Sequence, residues 1–352
     1  MIVERTHSPG GTPAGVLDFP CGVKRLANGN TLITDAGTET GYGSELLEVG
    51  PDGQIVRVVD YGFAFLHSVD TREDDAMLLA DTTNDRFLVL DPSGHVVVDT
   101  DRWSSGTGRL SDGSHLHYPN SVRAVSGTHT LVTDRNNDRA VVVNDRGDIA
   151  RTVVGTIRHP HNAEMLPDGR FIIADSDNNR VAIFSHGGDV LWEYTTDLSW
   201  PRDADVLMNG NVLITDSKNS RVIEVEEGGE IVWEYNADHF ANFYEAHRLP
   251  SGNTLISDQQ HKRVLEVDPE GRCVWQFRNF QRDTPVHPKL VNGFFRQRDE
   301  SGFPSGWYLA RRFSEGGGSF VWGEDHRGRP VPGLRYDRGG GLSLQQTVSV
   351  RP

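Results

Sequence analysis

Short apolar runs of four to six residues recur along this chain, separated by polar clusters rich in Gly, Asn and Asp. In Pro160–Tyr194 an apolar stretch at Ala163–Leu166 meets the turn Pro167-Asp168-Gly169, and a second follows at Phe171–Ala174. The polar cluster Asp175–Arg180 then leads to Val181–Phe184, and His186–Asp189 leads to Val190–Tyr194. Alternation on this scale, punctuated by residues that accept left-handed backbone, predicts four β-strands joined by tight turns. The same unit returns at Pro201–Tyr235 and Tyr244–Phe277, and in more diverged form from near Pro20, Leu66 and Pro119. Six copies with a period of about 40 residues predict an all-β fold, a six-bladed β-propeller.

The repeat sets the domain organisation. Blades starting near 20, 66, 119, 160, 201 and 244 fill residues 1–280 as one body, because a blade cannot bury its faces alone. Residues 281–352 leave the repeat but keep Phe294, Phe295, Trp307, Tyr308, Phe320 and Trp322. They predict a C-terminal arm that packs on the propeller, covers its mouth or reaches a second subunit, which would make the protein a homo-oligomer. The formal net charge of −15 argues against nucleic acid and anionic membranes as partners, since both call for a basic face. Two cysteines, Cys21 and Cys273, fall in different repeats, so a reducing, cytoplasmic setting without a disulfide framework is expected. The N-terminal residues show no basic start followed by an apolar core.

Two recurring features read as scaffold. The turn Asp81…Arg86 returns as Asp134…Arg139, Asp175…Arg180, Asp216…Arg221 and Asp258…Arg263. Repetition at one register is a building rule. Trp192, Trp233 and Trp275 recur on outer strands and read as blade packing.

Candidate chemistry sits where the inner strands begin. Aligned on the turns, the positions facing the funnel mouth are Cys21, His67, Asn120, His161, Arg202 and Tyr244, followed by Gly22, Ser68, Ser121, Asn162, Asp203 and Glu245. A ring carrying thiol, imidazole, guanidinium and phenol holds nucleophiles, ligands and acid–base groups. His67 and His161 lie on blades 2 and 4, roughly 120° apart in a six-membered ring. They predict a divalent metal site, zinc by ligand type, with the third ligand on blade 6, where His247 lies near Tyr244. Tyr244 is the acid–base candidate and Arg202 the anchor for an anionic group. Cys21, Asn120, Asp203, Glu245, His117 and Trp103 complete the expected substrate-binding set, the last two reaching in from the long connection Asp101–His117. His115, Trp200 and Phe240 are further wall candidates.

The repeat phrases LPSGNTLISD…RVLEVDPEGRCVWQF and MNGNVLITDSKNSRVIEVEEGGEIVWEY resemble those of arylsulfotransferase-like propellers, and the general pattern is similar to NHL-type repeats, over roughly residues 20–278. The contexts Pro160-His161-Asn162-Ala163 and Leu66-His67-Ser68-Val69 resemble the zinc-binding positions of NHL-like amidating lyases that cleave peptidyl-hydroxyglycine. That likeness implies a zinc-dependent lyase, with Tyr244 and Arg202 in the roles of a Tyr and an Arg near the metal. The arylsulfotransferase likeness implies instead sulfuryl transfer through a covalent His, with His67, His161 and Arg202 as its parts. The expectation is thus a metal-dependent enzyme performing elimination or hydration on a small molecule or small peptide in the funnel. Aryl-sulfate transfer and a non-catalytic binding scaffold are the alternatives.

Overall fold

The computed structural model describes residues 17–37, 43–237 and 240–280, together with the backbone of strands lying between Gly293 and Ser343. Within it the six repeats become six sheets, each with four consecutive strands of one contiguous stretch, the last extended by two further strands, Gly293–Arg298 and Pro304–Ala310. The inner strands are Pro20–Arg25, Leu66–Thr71, Pro119–Ser126, Asn162–Met165, Pro201–Val206 and Phe243–Arg248. The chain is a six-bladed β-propeller. Residues 38–42, inside the expected blade 1 insertion, lie outside the described residues, as does most of the expected arm. The strand Gly293–Arg298 runs parallel to the outer strand of blade 6.

Second and third strands are apolar on both faces because each blade is covered by two neighbours. Leu78, Val89, Val122 and Val141 meet between blades 2 and 3, and Ile172, Ile183, Ile214 and Ile223 between blades 4 and 5. The ring closes by packing: Leu17, Val23 and Ile33 of the first blade lie against Leu255, Val264 and Phe277 of the last. The outer-strand indoles add a stitch at each step. Trp192 donates to Glu227 O (3.2 Å), Trp233 to Pro269 O (2.8 Å) and Trp275, across the closure, to Pro51 O (3.2 Å).

The repeated turn is a buried ion pair with a backbone clamp. Asp216 is fully buried; it accepts the Ser199 N–H (2.8 Å), the Asn219 side-chain amide (2.7 Å) and the Arg221 Nε–H (2.7 Å). Asp81, Asp134 and Asp175 repeat all three contacts. In three turns the next residue latches the following blade: Thr82 Oγ1 donates to Pro119 O (2.8 Å), Ser176 Oγ to Pro201 O (2.5 Å), and Ser217 Oγ to Phe243 O. In blades 3 and 6 that position is Arg135 and Gln259.

Candidate active site

Five of the six inner strands begin with an irregularity, while blade 4 pairs in regular register from Asn162. Register shifts fall between Pro20 and Val23, Leu66 and Ser68, Pro201 and Asp203, and Phe243 and Ala246, and opposite Asn120 in blade 3. A bulge leaves two successive side chains free to face the axis. His67 and Ser68 both do so, as do Asn120 with Ser121, Arg202 with Asp203, and Tyr244 with Glu245. Together with Arg123, His161 and Asn162 they line one pocket, open on one side. Gly22 occupies the matching place in blade 1, where a Cβ would lie 2.9 Å from Ser68 Cα.

The mouth holds a connected set of side chains. Asn120 Nδ2 reaches across from blade 3 to donate to Tyr244 Oη of blade 6 (2.6 Å) and also to His161 O (3.2 Å). That bond occupies a lone pair on Tyr244 and leaves its own proton to donate. His161 Nδ1 lies 2.8 Å from Ser176 Oγ, whose proton is committed to Pro201 O. Ser176 must then accept, so His161 carries its proton on Nδ1 and keeps the Nε2 lone pair. Burial, then the charges of Arg202 and Arg135, holds His161 well below the usual imidazole range; the same causes bring His67 to about 3. Both imidazoles are therefore neutral. Burial, and then Cys21, pushes the Tyr244 phenol well above its usual value, so it stays protonated. Arg202 stacks over the Tyr244 ring (4.9 Å) and donates through Nη1 to Asn242 Oδ1 and Gln259 Oε1, both at 2.9 Å.

Aromatic residues in left-handed backbone ring this mouth. Phe65 (φ 53), Tyr118 (φ 58) and Trp200 (φ 56) directly precede the first residue of their inner strands, and His159 (φ 42) precedes Pro160, before the inner strand of blade 4. Bulky residues rarely adopt this conformation, and their strain of order 1–3 kcal/mol each concentrates at functional sites. The turns hold it: Asp85 accepts the Tyr118 N–H (2.7 Å), Asp138 that of His159 (2.8 Å) and Asn179 that of Trp200 (2.9 Å). Phe65 and Tyr118 sit edge-on to His67, each 6.1 Å away, and Trp200 edge-on to His161 at 5.5 Å. The sequence signal for this collar is an aromatic residue just before the inner strand, in Phe19-Pro20, Phe65-Leu66, Tyr118-Pro119 and Trp200-Pro201. Of these, only Trp200 is among the wall candidates read from the sequence.

Below the mouth the channel is closed by charge. Arg123 of blade 3 pairs across the axis with Glu245 of blade 6 and lies 3.9 Å from Asp203. His247 lies between Asp205 (2.6 Å, through Nδ1) and Glu245 (3.2 Å, through Nε2). Burial opposes charge on His247, but the two carboxylates outweigh it and raise its pKa well above the ordinary value. Asp203 and Glu164 are each pushed up to about 7, by burial first and by Asp205 next.

The sequence-predicted residues separate into three places. His67, Asn120, His161, Arg202 and Tyr244 meet at the mouth, with Asp203 and Glu245 in the floor. Cys21 is sealed behind the ring with Ala36 and Tyr244, and burial raises its thiol well above the ordinary value, so it offers no thiolate. Trp103 lies in the core between blades 2 and 3, edge-on to Phe87 (5.5 Å), its indole donating to Asp145 O (2.9 Å). His117 and His115 are both exposed, and the His117 backbone N–H serves Asp134. The long connection thus runs outside the funnel because Trp103 fills a gap between blades. Phe240 is 66% exposed.

His67, His161 and His247 do not converge on one point. His247 faces the axis one layer deeper, and among the described residues the group whose ligand atoms lie within 4.8 Å of one another is Asp203, Glu245 and His247. Two carboxylates and an imidazole are a fit donor set for a divalent metal. Their charge is already compensated by Arg123 and by the proton on His247, both of which a metal would displace.

No family model matches the chain, and no curated protein does. Among solved structures it is similar to virginiamycin B lyase from Staphylococcus aureus, at 11% identity and a TM-score of 0.54 over 88% of this chain and 93% of that one. A catalytically inactive His-to-Ala variant of that lyase, solved with quinupristin, aligns at 12% identity and 0.53 over 89% and 93%. The WD40 propeller domain of Doa1 aligns at 14% and 0.54 over 69% and 76%. Identities this low show the propeller fold.

Proposed function

We propose that this protein is a lyase that eliminates a leaving group from a small molecule or small peptide held at the funnel mouth. The observation that carries the reading is the pairing of opposite proton roles in one pocket: a lone pair on His161 Nε2, and an uncommitted hydroxyl proton on Tyr244. Neutral imidazole is the commonest general base and a protonated phenol an effective acid. His161 takes a proton from the carbon beside a carbonyl, that C–H electron pair becomes the new C=C bond, and the bond to the leaving oxygen breaks. Tyr244 delivers its proton to that oxygen, and solvent carries the proton from His161 back to the phenolate. Asn120 orients Tyr244, and Ser176 fixes the His161 tautomer. The likeness to a lyase solved with quinupristin makes quinupristin the first compound to test.

A second reading is metal-dependent elimination or hydration. Asp203, Glu245 and His247 would hold the metal, zinc among the ions suited to this donor set, and it would polarise a carbonyl above the floor. One experiment separates the two. Quinupristin and a panel of small β-substituted carbonyl compounds are assayed for new C=C absorbance, before and after chelation. Acid–base elimination predicts turnover that survives chelation and falls about 100-fold or more in His161→Ala and Tyr244→Phe. Loss on chelation, restored by zinc and abolished in His247→Ala, would replace it with the metal reading. Turnover untouched by either mouth variant would sink the assignment.

A further inference from the structure

We infer that the funnel mouth contains an oxyanion site built by Arg202 and Arg135, which takes the carboxylate or sulfate-type group of the ligand. This names a substrate class for the proposed site and rests on the lyase reading only for the chemistry after binding.

Two cations at the mouth lack an anion. Arginines of the repeated turns each meet a buried carboxylate: Arg86, Arg139, Arg180, Arg221 and Arg263 all hold the Asp that opens their turn. Arg123 meets Glu245 below the mouth. Neither Arg202 nor Arg135 has a carboxylate within ion-pair distance among the described residues. Arg202 is held by the neutral oxygens of Asn242 and Gln259, and Arg135 by Asn136 Oδ1 at 3.3 Å. The Nε–H of each is buried without an acceptor. Each guanidinium lies over an aromatic face of the mouth, Arg202 over Tyr244 and Arg135 over Tyr118 (5.1 Å). Both lower the basicity of His67 and His161, so both fields reach the same pocket.

Arg135 is informative because of what it replaces. Its position follows the turn Asp, and in blades 2, 4 and 5 that position is a Ser or Thr that latches the next blade. Blades 1, 3 and 6 depart from this rule and place Ala36, Arg135 and Gln259 there. Gln259 holds Arg202 in place (2.9 Å). Two unpaired cations in a chain of net charge −15, held by neutral groups at the rim of a pocket, are a built receptor for an anion.

The test uses the full chain and three probes, acetate, inorganic sulfate and inorganic phosphate, each at low millimolar concentration against chloride at matched ionic strength. Saturable binding is followed by calorimetry and by the rise in Tm. At least one probe is expected to bind wild type, with affinity at least about tenfold lower in Arg202→Met and in Arg135→Met. Without oxyanions Arg202→Met should melt at or above wild type, since an unpaired cation is removed. Which probe binds best distinguishes a carboxylate ligand from a sulfate or phosphate ester. Equal responses of wild type and both variants, or no response of wild type to any probe, would overturn the inference. If Arg202→Met does not fold, Arg135→Met decides by the same readout. Failure here with His161-dependent turnover intact would remove the anion site alone; oxyanion binding without turnover on any substrate would remove the catalytic reading alone.

Discussion

His161 shows how much one hydroxyl settles. Ser176 gives its proton to the next blade, so it must accept from His161, and the imidazole is left with a lone pair toward the pocket. The ring position of His161 was legible from the repeat, but its tautomer was not, because the partner lies 15 residues away in a turn that reads as scaffold. Arg135 was hidden in the same way. The floor carries a second consequence. Glu164 Oε2 is buried without a partner, and burial with Asp205 raises its pKa to about 7. A carboxyl protonated in the folded state and ionised in the unfolded one stabilises at low pH, and that contribution is lost as pH rises toward and through about 7. Glu164→Gln, a neutral isostere, should therefore lose less stability than wild type between pH 5 and pH 8 in urea titrations. Identical pH slopes for the two proteins would contradict the assignment.

Among strands and turns, turn and bulge divide the labour. Period and turn chemistry made the strands legible: the expected Phe171–Ala174 and Val190–Tyr194 appear as Phe171–Asp175 and Val190–Tyr194. The bulges at five of the inner-strand starts were not legible, since they depend on how a strand meets its neighbour rather than on its own residues. Trp103 misled because an aromatic in a long connection fits a pocket wall as well as a gap between blades. The Asp-centred turn is the scaffold that supports both the bulges and the collar. Asp216→Ala leaves Arg221, Asn219 and the Ser199 N–H without their shared acceptor, and should cost about 3–5 kcal/mol in chemical denaturation. A loss under about 1 kcal/mol would mean that the repeated carboxylate is not the clamp described here.

Across the propeller as a whole, two contacts span the axis between blades 3 and 6. Asn120 meets Tyr244 at the mouth, and Arg123 meets Glu245 beneath it. They make the funnel a blind pocket open on one side, with a neutral acid–base layer above a charged floor. Burial first, and then the charges of Arg202 and Arg135, keeps the imidazoles uncharged although the chain as a whole is acidic. An anion seated between those arginines would offset that field and return basicity to His161 as substrate binds. The elimination chemistry proposed for the site rests on the charge and tautomer of His161. Nitrogen NMR of the full chain labelled at its histidine rings, with His161→Gln used for assignment, reads both at once. A neutral ring at pH 6, protonated at Nδ1 and bare at Nε2, is expected. A charged His161 at that pH, or a proton on Nε2, would remove the general base and the elimination chemistry with it.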